Sequence, residues 1–151
     1  MRGPIPPEDV DEVVEAFCDS LSFLDSRLRD ELVADYLLGA RACMDIEELR
    51  CALEGAEMMA TAVVCGVPVA DLLETTERLA VEALSRGGPE RRVRSVVVLF
   101  RAPWEFELKD LALIMRRVDA LCGRENLVYI VFGDFIDPDA TAGKIRIFVT
   151  W

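Results

Sequence analysis

The 151 residues contain no histidine. That absence removes Ser-His-Asp and Cys-His nucleophile systems, imidazole metal ligands and imidazole acid–base chemistry. Cysteine occurs at Cys18, Cys43, Cys51, Cys65 and Cys122, an odd number with no Cys-x-x-Cys spacing. Neither a disulfide framework nor a zinc centre is indicated, and reduced thiols in apolar surroundings are expected. Positive charge is also short. Lysine is limited to Lys109 and Lys144, and 17 basic against 28 acidic residues leave a formal charge of −11. Such a balance argues against a nucleic-acid backbone as partner. Apolar runs stay well below the roughly 18 residues of a membrane span, and the start, MRGPIPPEDVDEVVEAF, has no apolar signal segment. A soluble cytoplasmic protein is the expectation.

What remains is a folding chain, 52% hydrophobic and 30% charged, read as one domain over residues 1–151. Val10, Val13, Val14, Phe17, Leu21 and Leu24 recur at helical spacing, and Leu28, Leu32, Tyr36 and Leu37 extend the pattern. Residues 8–38 are therefore one long helix, or two with a kink near Asp25 and Ser26, ended by Gly39. GARACMD reads as a loop. A short helix at 45–54 places Ile46, Leu49 and Leu53 on one face. Then MMATAVV suits a buried strand, and Leu72, Leu73, Leu79, Ala80, Ala83 and Leu84 mark a helix stopped by Gly87-Gly88. VRSVVVLFR is the clearest strand. A helix carrying Leu108, Leu111, Met115, Val118 and Leu121 ends at Gly123, and two strands close the chain. Over 56–151 the order strand, helix, strand, helix, strand, strand predicts an α/β (α+β) two-layer sandwich. Its four-stranded mixed sheet carries two helices on one face, with the N-terminal helix packed beside it.

Asp134, Asp137 and Asp139, within VFGDFIDPDATAGK, invite a metal reading. As a calcium loop counted from Asp137 the segment fails, because Ala142 stands where Gly is needed and Phe148 where Glu should close the cage. Asp-Pro-Asp with a later Gly is connection chemistry between strands. No metal and no cofactor are expected. Asp45 and Glu48, in MDIEELR, read as an N-cap with an acidic first turn. The cluster Arg91, Arg92 and Arg94 offers guanidinium groups to an anionic ligand, with ion pairing to the acidic excess as the alternative. Trp104, in the loop APWEFE, is either an exposed aromatic anchor for a partner or a cover for the sheet edge.

Two segments resemble FtsZ, the bacterial and archaeal relative of tubulin. The closing one has an apolar strand, Gly133, Ile136 to Asp139, then KIRIFVT, like the family's strand, Gly, IDPD and IRVTV. Upstream, CMDIEELRCAL and GAEMMATAVVCG are similar to the family's NLDFADVRTVM and GxAMMGTGxASG, with Asp45 and Glu48 on the two acidic positions. Departures are Cys43 for the family's Asn, Ile46 for its Phe, Glu48 for its second Asp, and FRAPWE for NITGG. The resemblance implies the C-terminal domain with the preceding central helix. No GGGTGTG-like loop occurs in these residues, so the nucleotide-binding half is expected to be missing.

In FtsZ the matching loop enters the nucleotide pocket of the next subunit, where its carboxylates polarise the attacking water. The resemblance therefore implies a non-enzymatic protein that binds FtsZ or another tubulin-like protein through Cys43, Asp45, Ile46, Glu48 and Trp104. It would modulate that partner's polymerisation or GTP turnover. The alternatives are a self-associating structural or small anion-binding domain, which would form a homo-oligomer, or one half of a split FtsZ-like protein.

Overall fold

VRSVVVLFR forms the centre of the molecule. The structure is a computed structural model that describes residues 7–37, 41–43, 45–122 and 129–151. Strand β3 (Ser95–Pro103) is buried continuously from Ser95 to Phe100, as an apolar run requires when both faces of a sheet are covered. It belongs to a five-stranded sheet with β1 (Arg41–Cys43), β2 (Met59–Val67), β4 (Tyr129–Asp137) and β5 (Gly143–Thr150), in the order β1-β4-β3-β5-β2. Only β3 and β4 run parallel; the β1–β4, β3–β5 and β2–β5 pairs are antiparallel. The connection from β4 to β5 therefore passes from one side of β3 to the other.

Helices α4 (Leu72–Ser85) and α5 (Leu108–Cys122) cover one face. Leu72, Leu79, Ala80 and Ala83 of α4, with Ile114, Val118 and Cys122 of α5, share a core with Val96, Val98, Phe100, Ile145, Ile147 and Val149. This sheet-and-two-helix unit is the α+β sandwich that the element order predicts. Trp151, the last residue, fills the same core and lies on Gly87, where an added Cβ would fall 2.1 Å from the indole ring. Gly88, at φ +72°, supplies the left-handed turn after α4.

The opposite face is covered by the N-terminal segment, which adds a third layer. The segment is two helices, α1 (Val10–Ser20) and α2 (Ser26–Leu32), with a final widened turn over Val33–Leu37. The break falls where the sequence places a kink. Asp25 caps α2, its Oδ1 accepting the Arg27 N–H at 2.7 Å. Helix α3 (Ile46–Leu53) completes the layer, and Phe17, Leu21, Leu32, Tyr36, Leu49 and Leu53 pack on Val97, Leu99, Val131, Phe135 and Phe148. At one end this face becomes charged. Arg146, 2% exposed, meets Glu31 at 2.9 Å and Asp35 at 3.6 Å; Lys144 also pairs with Asp35. Arg101 grips Asp137 at 2.7 Å, donates to the Ala34 carbonyl at 2.9 Å, and lies over the Phe135 ring.

Three expectations change. The segment read as a loop contains β1, a strand too short to carry any periodicity, and it adds a fifth strand at the β4 edge. MMATAVV is a terminal strand rather than a buried one: Ala60 and Ala62 face the α4 core, whereas Met59 and Val63 are 37% and 39% exposed. An apolar run cannot announce whether a second layer will cover it. On α5 Val118 is buried as expected, but Ile114 takes the buried place expected for Met115, which is 40% exposed. Gly39 and Gly123, expected at helix ends, lie outside the described residues.

Candidate functional site

Helix α3 is built to present its N-terminus. Asp45 has extended backbone, and its Oδ1 accepts the N–H groups of Glu47 at 2.9 Å and Glu48 at 3.4 Å. That is the N-cap expected from the sequence, and it neutralises two of the four unpaired donors of a helix start. Arg50 bridges Glu47 at 2.6 Å and Glu54 at 3.3 Å along the exposed side. Asp45 and Glu48 both face solvent, Ile46 is half-buried, and Leu49 below them is fully buried. The backbone of Cys43 pairs with Asp134; its side chain lies outside the described residues.

The other end of α3 is tied to the sheet. Arg94 Nη2 donates to the carbonyls of Cys51 at 3.1 Å and Glu54 at 2.8 Å, placing a cation at the negative end of the helix. Ser95 Oγ donates to the Ala52 carbonyl at 2.6 Å, joined there by Thr150 Oγ1. Arg94 also donates its N–H to the Thr150 carbonyl at 2.8 Å and accepts the Tyr129 N–H at 3.1 Å. One residue thus connects α3 to the ends of β4 and β5.

Tyr129 is the residue the sequence did not single out. It is 44% exposed, and partial burial together with Glu48, Cys51 and Asp45 pushes its phenol above the ordinary value. The two carboxylates and this ring therefore share one rim. No sequence pattern marks it, because Tyr129 and Asp45 are distant in the chain and come near each other only where α3 packs against β4.

Trp104 is 62% exposed and follows β3, at the end of the sheet remote from Ser95 and Tyr129. Nine residues of strand separate these ends, roughly 26 Å. The structure thus sets Trp104 at the end of the sheet opposite Tyr129. It also divides the arginine cluster. Arg94 is engaged by α3, while Arg91 and Arg92 line an open recess of about 320 Å³ with Pro89, Glu90 and Val93.

Asp134, Asp137 and Asp139 do not converge either. Asp137 is bound by Arg101 and accepts the Asp139 N–H at 2.9 Å, so it organises the turn into β5; its carboxyl is held below the ordinary range by the Arg101 hydrogen bond. Among the described residues no helix is long and apolar enough to cross a membrane.

Compared with solved structures, the chain is similar to FtsZ from M. jannaschii (W319Y mutant), at 12% identity and a TM-score of 0.51, with 97% of this chain and 41% of that chain covered. The empty FtsZ dimer of M. jannaschii aligns at 12% identity and TM-score 0.49, over 91% of this chain and 43% of that one. CetZ1 from Haloferax volcanii, a GDP-bound monomer, aligns at 14% identity and TM-score 0.49, over 82% and 38%. No protein-family model and no curated protein matches the sequence. The likeness is one of fold, and the chain spans about two fifths of the length of these structures. The class of architecture is thus the FtsZ-like α+β domain, as the two sequence segments imply.

Proposed function

We propose that the chain is a non-catalytic FtsZ-like binding module that docks on FtsZ or another tubulin-like protein through the N-terminal rim of α3. The observation that carries this reading is the exposed Asp45–Glu48 pair, capped and anchored at both ends of its helix and flanked by Tyr129. A loop held this way presents carboxylates with little ordering cost on binding. Directed at the nucleotide face of a partner filament, it occupies the position that a further subunit's loop would take. Polymer growth at that end is then limited, and the carboxylates orient water for GTP hydrolysis where their placement fits.

The test mixes the chain with FtsZ and GTP and follows sedimentation and phosphate release. Polymer mass or turnover should change with dose, and the double substitution Asp45→Asn, Glu48→Gln should cancel the effect while leaving the cap in place. Unchanged sedimentation and turnover at molar excess would overturn the proposal.

A further inference from the structure

Strand β2 ends the sheet, and the direction of its free backbone groups follows from two hydrogen bonds. The Thr150 carbonyl accepts from Arg94, on the β3 side of β5, whereas the Trp151 N–H reaches back to the Met58 carbonyl. Alternation along β5 therefore sends the odd-numbered groups of β5 toward β2, and they meet the even-numbered residues Ala60, Ala62 and Val64 through the observed register. The N–H and C=O groups of Met59, Thr61 and Val63 are left pointing outward. The strand has nine residues and no charged side chain, proline or buried salt bridge to protect that edge. A bulge between Val64 and Val67 confines the regular part to Met59–Val64.

One contact guards it. Arg86 Nη1 donates to the outward carbonyl of Thr61 at 2.9 Å, with its other nitrogen near Glu82 at 3.3 Å. The side chains of Met59 and Val63 lie on the face away from α4, 37% and 39% exposed.

We infer that the outer edge of β2 takes a second copy of this chain, antiparallel, with Thr61 at the twofold axis and Arg86 as the gate. In that register Met59 faces the partner's Val63, Thr61 faces the partner's Thr61, and every outward N–H and C=O of the three residues finds a mate. The two exposed apolar side chains become cross-strand neighbours, the pairing that stabilises antiparallel sheets. The edge is self-complementary, as an isologous contact requires, and the strand itself carries no acidic side chain, the nearby Glu82 being paired with Arg86. Five residues of strand span only about 17 Å, less than a standard interface needs, so the dimer is weak and forms at high protein concentration. Arg86 must leave the Thr61 carbonyl for it to close.

Sedimentation velocity between about 10 µM and 1 mM tests this on the intact chain and on Arg86→Ala and Val63→Lys, with circular dichroism to check folding. The intact chain should show a concentration-dependent dimer. Arg86→Ala should tighten it by roughly 25-fold, because closing breaks one such hydrogen bond in each of the two copies and each is worth about fivefold. Val63→Lys should abolish it alone and in the Arg86→Ala background. Hydrogen exchange should slow at the Met59, Thr61 and Val63 amides as concentration rises. Monomer throughout the range for both the intact chain and Arg86→Ala overturns the inference, as does a dimer that Val63→Lys leaves intact or one without protection at those amides. Should Arg86→Ala misfold, the intact chain against Val63→Lys, with the exchange data, decides.

Discussion

The two faces of the central sheet are covered by helices in different ways. Helices α4 and α5 lie against Val96, Val98, Phe100, Ile145, Ile147 and Val149; among the described residues the buried side chains of these helices are uncharged, Thr75 and Thr76 of α4 being the polar ones. These helices are spliced between strands, β2 to β3 and β3 to β4, so short connections fix where each must lie. On the other face α3 lies between β1 and β2, whereas α1 and α2 are tied to the sheet at one end only, by the step from Leu37 to Arg41. Their face is apolar around Phe17, Tyr36 and Phe148, then ends in Arg101, Lys144 and Arg146 held by Glu31, Asp35 and Asp137. Apolar burial supplies attraction without direction. Buried charges that tolerate few arrangements supply direction, and here they set how α2 sits on β3 and β5; this is the reading of the difference that substitution tests directly.

The largest effect should come from the apolar face. Phe100→Ala removes a fully buried ring stacked 6.0 Å from Phe106 and should destabilise by about 4 kcal/mol, read from urea unfolding and insensitive to pH. On the charged face, Asp35→Ala leaves Arg146 and Lys144 without their shared partner and should remove about 3 kcal/mol. An equal loss from a volume-preserving change on the apolar face would erase the distinction drawn between them.

The charged face should also respond to acid. Glu31 is held below its ordinary 4.5 by the hydrogen bond and charge of Arg146, and Asp137 below its ordinary 3.8 by Arg101 and the Asp139 N–H. A carboxylate whose folded pKa is lowered gives its full stabilisation above the unfolded value and loses it as pH falls through the folded one. Amide protection in α1 and α2, measured against the intrinsic exchange rate at each pH, should therefore fall between pH 7 and about pH 3 more than in α4 and α5. An equal loss of protection in both layers would break the comparison.

Smaller effects sharpen it. Gly87→Ala drives a methyl group into the Trp151 indole and should cost about 2 kcal/mol, with a red-shifted tryptophan emission. Asp45→Ala should cost about 1 kcal/mol in thermal or urea unfolding through the lost cap of α3, and Asp45→Asn should restore most of it.

Much of the fold was legible because periodicity reports burial on one face at a time. Leu72, Leu79, Ala80 and Ala83 announce α4, and the unbroken run at Val96–Phe100 announces a strand covered on both sides. The acidic N-cap at Asp45 was readable for the same local reason. Arg146 and Tyr129 were not. A buried arginine within KIRIFVT is indistinguishable from an exposed one until Glu31 and Asp35 arrive from 111 or more residues away, and Tyr129 acquires meaning only beside Asp45.

By itself, then, the sequence determined the types of the longer elements, the α+β order and the capped acidic turn, but not the three-residue β1, since only patterns spanning several neighbouring residues are locally legible. Tertiary structure decided which strand ends the sheet, which arginine anchors α3, and which surfaces Trp104 and Asp45 occupy. Those outcomes depend on strand order, and strand order is set by packing two helical layers against one sheet, a long-range competition that no local pattern encodes.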